Sequence, residues 1–223
     1  MTQVFTLEPG RANAGDESRL HPKAAPDPLH VTMILVRHGE SLANLERRFT
    51  RSDDEPLTAT GVEQARETAR RLAEHYAPKA LYASPFLRAL DTARAIGAPF
   101  GLEPTVVHEL HEQSFGTLRG RPYEDYYPVI STISPLDRWH HRAPGGESLH
   151  DVAERVGPVL ERIAASHPGE QVLVVSHGGV MAALRAWACG NFALPPESTV
   201  NAGGYRLVGS CRPYHGPLPL FLG

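Results

Sequence analysis

The sequence predicts an α/β fold with a mostly parallel central sheet that helices cover on both faces. Two runs of four apolar residues, 33–36 and 172–175, carry this prediction. Such runs are typical of strands buried on both faces, and in soluble proteins those strands belong mainly to parallel sheets flanked by helices. Amphipathic segments between the two runs supply the helices.

Length and composition favour one domain in a reducing compartment. The 223 residues are enough to bury a sizeable core, and we predict a single domain over 31–223. Residues 1–30 are rich in proline, glycine and charged side chains, which predicts a mostly disordered extension. A net charge of −3 gives no reason to expect nucleic acid or a membrane as a partner. Two cysteines without metal-type spacing, and no secretory or membrane-spanning apolar run, predict a cytoplasmic protein.

The other elements follow from periodicity and capping signals. Helices are predicted at 41–49, 58–76 and 180–189, after Ser84 as N-cap with Pro85 as the first helical residue, and after Ser148 and Asp151, with a kink or break at Pro158. Short strands are predicted at 80–83, 105–107 and 205–208. The irregular segment 119–147 is typical of a substrate-facing insertion, and the apolar tail 218–222 is expected to pack against the body.

Both buried strands end in a histidine followed by glycine. Arg37-His38-Gly39 follows the first strand and Ser176-His177-Gly178 the second, and ligands of parallel sheets gather at the strands' carboxyl ends. We expect Gly39 to let a ligand approach the backbone closely. Arg88 lies in the first turns of a predicted helix, where the helix dipole disfavours a cation unless an anion binds nearby. The pattern predicts a pocket for a tetrahedral anion such as a phosphoryl group.

A metal site is the rival interpretation of the same residues. His38, His177 and Glu112 form a possible two-histidine, one-carboxylate set. Arg37 and Arg88 would repel a divalent cation a few ångströms away, whereas they would stabilise a phosphate and the charge of its transfer. We therefore expect no metal.

Six motifs in order resemble the histidine phosphatase superfamily, in the branch named for cofactor-dependent phosphoglycerate mutase. The resemblance covers roughly residues 31–210. It rests on Arg37-His38-Gly39-Glu40 with Asn44, Pro56-Leu57-Thr58 with Gly61 and Gln64-Ala65, Ser84-Pro85 with Arg88, Glu112 with Phe115-Gly116, Gly145-Gly146-Glu147-Ser148, and Ser176-His177-Gly178-Gly179.

The resemblance implies a three-layer α/β/α sandwich and a phosphohistidine mechanism. In that mechanism His38 is the nucleophile and Glu112 the proton donor. Arg37, Arg88 and His177 hold the phosphoryl oxygens with help from Asn44. For the far end of the substrate we weigh Arg47-Arg48 and His140-His141-Arg142 equally against a solvated charged surface.

Three functions remain open from the sequence. The first is a phosphatase that hydrolyses a small phosphorylated metabolite without a cofactor. The second is a mutase, which would need 2,3-bisphosphoglycerate; Leu118-Arg119-Gly120 resembles the mutases, but the short segment 119–147 has only scattered arginines, which favours hydrolysis. The third is a non-catalytic binder of phosphorylated ligands. The sequence is compatible with a homodimer and fixes no oligomeric state.

Overall fold

A computed structural model describes residues 30–189, 199–210 and 215–220. One six-stranded sheet has the order β3-β2-β4-β1-β5-β6. The strands are β1 (His30–Arg37), β2 (Ala80–Ala83), β3 (Thr105–Val106), β4 (Gln171–Ser176), β5 (Gly204–Ser210) and β6 (His215–Leu220). The first four strands are parallel to one another, and β5 and β6 are antiparallel additions beside β1 at one edge. The predicted, mostly parallel sheet is thereby confirmed.

Seven helices lie in the described part of the chain. They are α1 (Leu42–Leu45), α2 (Ala59–His75), α3 (Leu87–Gly97), α4 (Tyr127–Ser131), α5 (Pro135–Arg138), α6 (Leu149–Ser166) and α7 (Gly178–Cys189). None of the described helices is long and apolar enough to cross a membrane.

The side chains of each buried strand alternate between two separate cores. Met33 and Leu35 pack with α6 and α7, whereas Ile34 and Val36 pack with α2 and α3. Successive strand residues point to opposite faces of a sheet, so an uninterrupted apolar run is what two covered faces require. The result is a three-layer α/β/α sandwich.

The sheet brings the two histidine motifs side by side. β1 pairs directly with β4, and their last residues, Arg37 and Ser176, are opposite each other. The backbone N–H of His38 then donates to the carbonyl of Ser176 at 2.9 Å. His38 and His177 therefore begin neighbouring loops at one sheet edge, although 138 residues of sequence separate the strands' ends.

Several predicted helix boundaries need correction. The helix predicted at 41–49 is only the single turn α1, because Arg47 adopts a left-handed backbone with φ of 53°. The predicted break at Pro158 does not occur within α6, which runs continuously from the Ser148–Asp151 capping box. Residues 218–220 of the tail predicted only to pack belong to strand β6. Of the extension predicted over 1–30, His30 begins β1, and residues 1–29, like the last three residues of the chain, lie outside the described residues.

Gly39 has a different role from the one predicted. A Cβ on Gly39 would lie 2.3 Å from the carbonyl oxygen of Gly61, and one on Gly61 would lie 2.0 Å from the carbonyl oxygen of Glu40. The close neighbour of this loop is thus the first turn of α2 and not a ligand. Because neither glycine has a side chain, the first turn of α2 packs directly against the loop that carries His38. This contact holds the loop at the sheet edge.

Candidate active site

His38 lies at the inner end of a cavity of about 380 Å³, which we call the His38 cavity. Its side chain is only 3 % exposed. The ring Nδ1 lies 2.7 Å from the carbonyl oxygen of Gly39. Because a carbonyl only accepts, Nδ1 carries the hydrogen and Nε2 keeps its lone pair. Arg88 Nε donates to that Nε2 at 3.2 Å, so the lone pair is directed toward a guanidinium group that would hold an anion.

His177 completes the inner end of the site from the neighbouring strand. Its ring centroid is 5.1 Å from that of His38, and the side chain is fully buried. His177 Nε2 lies 2.7 Å from Ser84 Oγ, whereas the buried Nδ1 has no hydrogen-bond partner in the described part of the chain. A buried nitrogen without a partner is costly, and it marks a place where a ligand oxygen would restore the missing bond.

Ser84 is a site residue that the sequence reasoning misassigned. The prediction that Ser84 caps the next helix is wrong, because α3 begins at Leu87 with Phe86 as its N-cap. Ser84 Oγ instead accepts from the backbone N–H of Phe86 at 3.3 Å and is paired with His177. Its hydroxyl hydrogen can donate to His177 Nε2, and in that tautomer the hydrogen of the ring lies on Nδ1.

Two arginines surround the imidazoles without a carboxylate partner in the described residues. Arg88, 3 % exposed, donates to His38 and to Thr50 Oγ1 at 3.3 Å. Arg37 donates to the carbonyl of Thr199 at 2.5 Å, and its buried Nε has no partner among the residues described. Burial lowers the pKa of Arg88, an effect that the charge of Glu112 opposes. Uncompensated guanidinium groups of this kind favour an anionic ligand.

Arg48, another buried arginine of the described residues, does have carboxylate partners. Arg48 is 6 % exposed, and its guanidinium pairs with Glu55 and Glu46, each at 2.5 Å. Burial opposes ionisation of Glu55, but hydrogen bonds from Thr50 and Arg48 hold its pKa below the ordinary value. Arg48 thus belongs to a buried ion pair and does not line the His38 cavity. Its assignment to the far end of the substrate therefore needs correction. Arg48 has carboxylate partners, whereas Arg37 and Arg88 have none among the described residues. The missing carboxylate partner is therefore a specific feature of the site.

Glu112 lies against the amino-terminal end of α7, beside the cavity. Its Oε1 accepts backbone hydrogen bonds from Gln113 at 2.8 Å and Gly179 at 3.1 Å. A Cβ on Gly179 would lie 2.7 Å from this same oxygen, so only glycine leaves room for the carboxylate there. Within the described residues Oε2 accepts no hydrogen bond, which leaves it available to carry or take a proton in the cavity.

Burial lowers the pKa of both site histidines well below the ordinary value. For His38 the charges of Arg88 and Arg37 add to burial, while the hydrogen bond to Gly39 opposes it. For His177 the charge of Arg88 is again the next cause after burial. For both rings, desolvation is a larger effect than the arginine charges. Both rings are consequently neutral near pH 7, as a nucleophilic imidazole requires.

The remaining predicted residues divide into those inside the cavity and those outside. Asn44 lines it, with Oδ1 accepting from Ser41 and Nδ2 donating to Tyr123. Three other predicted residues are exposed and do not line the cavity. Arg47 pairs with Glu124, and Arg142 pairs with Asp151. The third, His140, packs its ring against His150. Those assignments to the substrate's far end need correction. The insertion instead presents Tyr123, Tyr126, Tyr127, Ile130, Arg138 and His141.

Two further features bear on what the site can bind. A second cavity of about 550 Å³ lies beyond Glu112 and shares Thr50, Gln113 and Phe115 with the first, but its lining includes neither His38 nor His177. In the described ranges no three His, Cys, Asp or Glu side chains lie close enough to hold a metal ion, so His38, His177 and Glu112 do not form the rival set.

Comparison with known proteins agrees with this geometry. The family model of the histidine phosphatase superfamily, branch 1, matches residues 33–198. The chain belongs to this superfamily. Its strand-end histidines and arginines therefore lie in a fold shared with known phosphatases and mutases, and the resemblance noted from the motifs is confirmed.

Both phosphatases and mutases are among the proteins similar to this chain. A metal-independent phosphoserine phosphatase of Arabidopsis thaliana is 36% identical over 161 residues, which are 68% of this chain and 66% of that protein. A 2,3-bisphosphoglycerate-dependent phosphoglycerate mutase of Rhizobium etli is 33% identical over 174 residues, 69% of this chain and 78% of the mutase. The mycobacterial glucosyl-3-phosphoglycerate phosphatase structure superimposes with a TM-score of 0.70 at 28% identity, covering 81% of this chain and 91% of that one.

The depressed histidine pKa values predict acid sensitivity of the fold. Below pH 6.5 the unfolded chain binds protons on His38 and His177 that the folded chain excludes, so the free energy of unfolding falls as pH falls. Each imidazole contributes a slope of roughly 1 kcal/mol per pH unit. Urea unfolding from pH 7.5 to 5.5 should show a shallower decline in the double variant His38→Gln/His177→Gln. Equal slopes for both proteins would contradict the assignment of neutral, buried rings.

Proposed function

We propose that this protein is a metal-independent phosphatase that hydrolyses a small phosphomonoester through a phosphohistidine on His38. The observation that supports it best is a pair of guanidinium groups, Arg88 buried and Arg37 partly buried, that have no carboxylate partner in the described residues and lie beside a neutral imidazole. A phosphoryl dianion satisfies both charges, and its transfer needs positive charge around three equatorial oxygens. Such cations take the place that metal ions occupy in other phosphatases.

In the proposed first step, His38 Nε2 attacks phosphorus and the ester oxygen leaves. The bond from nitrogen to phosphorus forms as the bond from phosphorus to oxygen breaks. Arg37, Arg88 and the Nδ1–H of His177 hold the phosphoryl oxygens. An alkoxide is a poor leaving group, so a proton held on Glu112 is transferred to it as the bond breaks.

In the proposed second step, water replaces the departed alcohol. Glu112, now ionised, accepts a proton from that water, whose oxygen bonds to phosphorus. The phosphorus–nitrogen bond breaks, and the electron pair returns to His38 Nε2. Inorganic phosphate then leaves, and both ring nitrogens regain the arrangement seen in the structure.

The mutase alternative is less well supported by the cavity. A mutase acting on phosphoglycerate must grip a carboxylate as well as the phosphoryl group. Of the cationic side chains in the insertion that line the cavity, Arg138 donates from Nε to the carbonyl of Ile133 at 2.8 Å and from Nη2 to that of Ser131 at 3.0 Å. Arg119 pairs with Asp53 at 2.7 Å and lies beside the second cavity. These arrangements favour hydrolysis over transfer to a second hydroxyl.

Replacing His38 tests the nucleophile. With a labelled aryl phosphate in excess chelator, alkaline quenching of the wild-type protein should trap an acid-labile phosphoprotein. His38→Ala should abolish both the trapped label and turnover, since Nε2 forms the covalent bond. The control His75→Ala alters a histidine at the end of α2 that does not line the cavity, and it should retain both. Labelling that persists in His38→Ala would exclude this nucleophile, and loss of wild-type turnover in chelator would exclude the metal-independent mechanism.

Glu112→Gln tests the proton donor. Glutamine still accepts the backbone hydrogen bonds that Oε1 receives, but it has no proton to give. We expect kcat/KM for an alkyl phosphate to fall about 100-fold or more, with a much smaller fall for p-nitrophenyl phosphate, whose leaving group needs no proton. Steady-state kinetics on the two esters measures the difference. A similar loss for both esters would remove Glu112 from this role.

A further inference from the structure

The part of the His38 cavity beyond the phosphate-binding end is largely apolar. Five aromatic rings line it and form what we call the aromatic wall, which consists of Phe49, Phe115, Tyr123, Tyr126 and Tyr127. The aliphatic side chains of Ala43, Ile130, Leu149 and Ala182 add to this apolar lining, and Asn44, Gln113, Arg138 and His141 are polar residues of the same cavity. A wall of this composition recognises apolar surface by burial and not by hydrogen bonds.

The aromatic wall is organised around one buried ring. Phe49 is 3 % exposed, and its ring centroid lies 4.3 Å from that of Phe115 and 5.1 Å from that of Tyr123. Tyr126 and Tyr127 pack against it at 5.8 and 6.1 Å. Phe49 belongs to the loop after α1, whereas the tyrosines belong to the insertion, so these contacts hold the insertion over the cavity in a defined position.

The hydroxyl groups of this wall offer little negative or positive charge. Asn44 Nδ2 donates to the hydroxyl of Tyr123 at 3.3 Å, which engages that oxygen. Burial raises the pKa of Tyr126, so its hydroxyl is neutral at physiological pH. The wall therefore presents ring faces and edges with neutral tips.

Arg138 and His141, which also line the cavity, are a weak site for a second anion. Two of the donor groups of Arg138 already bind the carbonyls of Ile133 and Ser131. The ring of His141 packs on Tyr126, with centroids 5.7 Å apart. Neither resembles the arrangement at the histidine end, where Arg88 is buried against His38 and the buried Nε of Arg37 has no partner among the described residues.

We propose that the alcohol part of the substrate is uncharged and largely apolar. This inference rests on the proposed phosphatase function and adds the substrate class. The phosphoryl group binds at the histidine end, and an alkyl or aryl group lies against the aromatic wall. Esters that carry a carboxylate, as phosphoserine and phosphoglycerate do, are poorer substrates because that charge would lose its water without gaining a matched cation.

A series of n-alkyl phosphates from ethyl to pentyl tests the proposal. These alcohols have nearly equal leaving-group acidity, so their intrinsic reactivity is constant and only the apolar contact changes. We expect kcat/KM to rise with each methylene, up to about fourfold for one that is fully buried. The matched pair is n-pentyl phosphate and 5-phosphooxypentanoate, in which a carboxylate replaces the terminal methyl group. We expect the carboxylate compound to be about tenfold worse or more.

Two neighbouring residues of α4 provide a variant and its control. Ile130 lines the cavity, whereas Val129 is 54 % exposed and does not. Ile130→Asn should flatten the chain-length dependence while p-nitrophenyl phosphate remains a substrate, and Val129→Asn should leave the dependence unchanged. Leu149→Asn, on α6, should flatten it as well and serves if Ile130→Asn does not fold.

The outcomes separate this inference from the proposed function. Hydrolysis with a flat or falling chain-length series, or with preference for the carboxylate ester, would overturn the apolar substrate class and leave the phosphatase intact. An equal effect of the Ile130 and Val129 substitutions would overturn the role of the cavity wall. Absence of hydrolysis for every ester, p-nitrophenyl phosphate included, would overturn the phosphatase itself.

Discussion

The site depends on the positive charges of Arg88 and Arg37, for which the described residues supply no carboxylate partner. Arg88 is almost fully buried, touches His38 and has carboxylates only at longer range. Burying a cation without a partner is unfavourable, and in most buried pairs the protein supplies the carboxylate, as Glu55 does for Arg48. In our account the phosphoryl dianion is the missing partner of Arg88 and Arg37. Burial, together with the charges of these arginines, keeps His38 neutral, so one arrangement both binds the anion and prepares the nucleophile.

The fold places these groups by sheet register and by close packing of loops. Pairing of β1 with β4 brings His38 and His177 to one edge. Gly39 and Gly61 allow α2 to clamp one loop, and Gly179 leaves room for Glu112 at the start of α7. Small residues therefore determine where the reactive side chains lie, and the insertion adds the wall that faces the rest of the substrate.

Much of this arrangement could be predicted from the sequence, because strong local signals produced it. The apolar runs of β1 and β4 predicted buried strands, and the histidine after each predicted a shared edge. Ser84 was misassigned because serine followed by proline has the same pattern as a helix start, and its pairing with His177 depends on contacts across the sheet. The roles of Arg47, Arg48 and His141 were equally hidden, since charge alone does not show which arginine faces Glu55, Glu124 or the cavity.

The most direct test of the account is the stability of two arginine variants with and without inorganic phosphate. Phosphate should stabilise the wild-type protein by mass action. Without phosphate, Arg88→Met should be at least as stable as the wild type, because it removes a buried charge that has no carboxylate partner, and added phosphate should have little effect on it. Arg48→Met should be clearly less stable, because it leaves Glu55 buried and unpaired, but it should still respond to phosphate. An Arg88→Met protein that loses as much stability as Arg48→Met and still gains stability from phosphate would contradict the account.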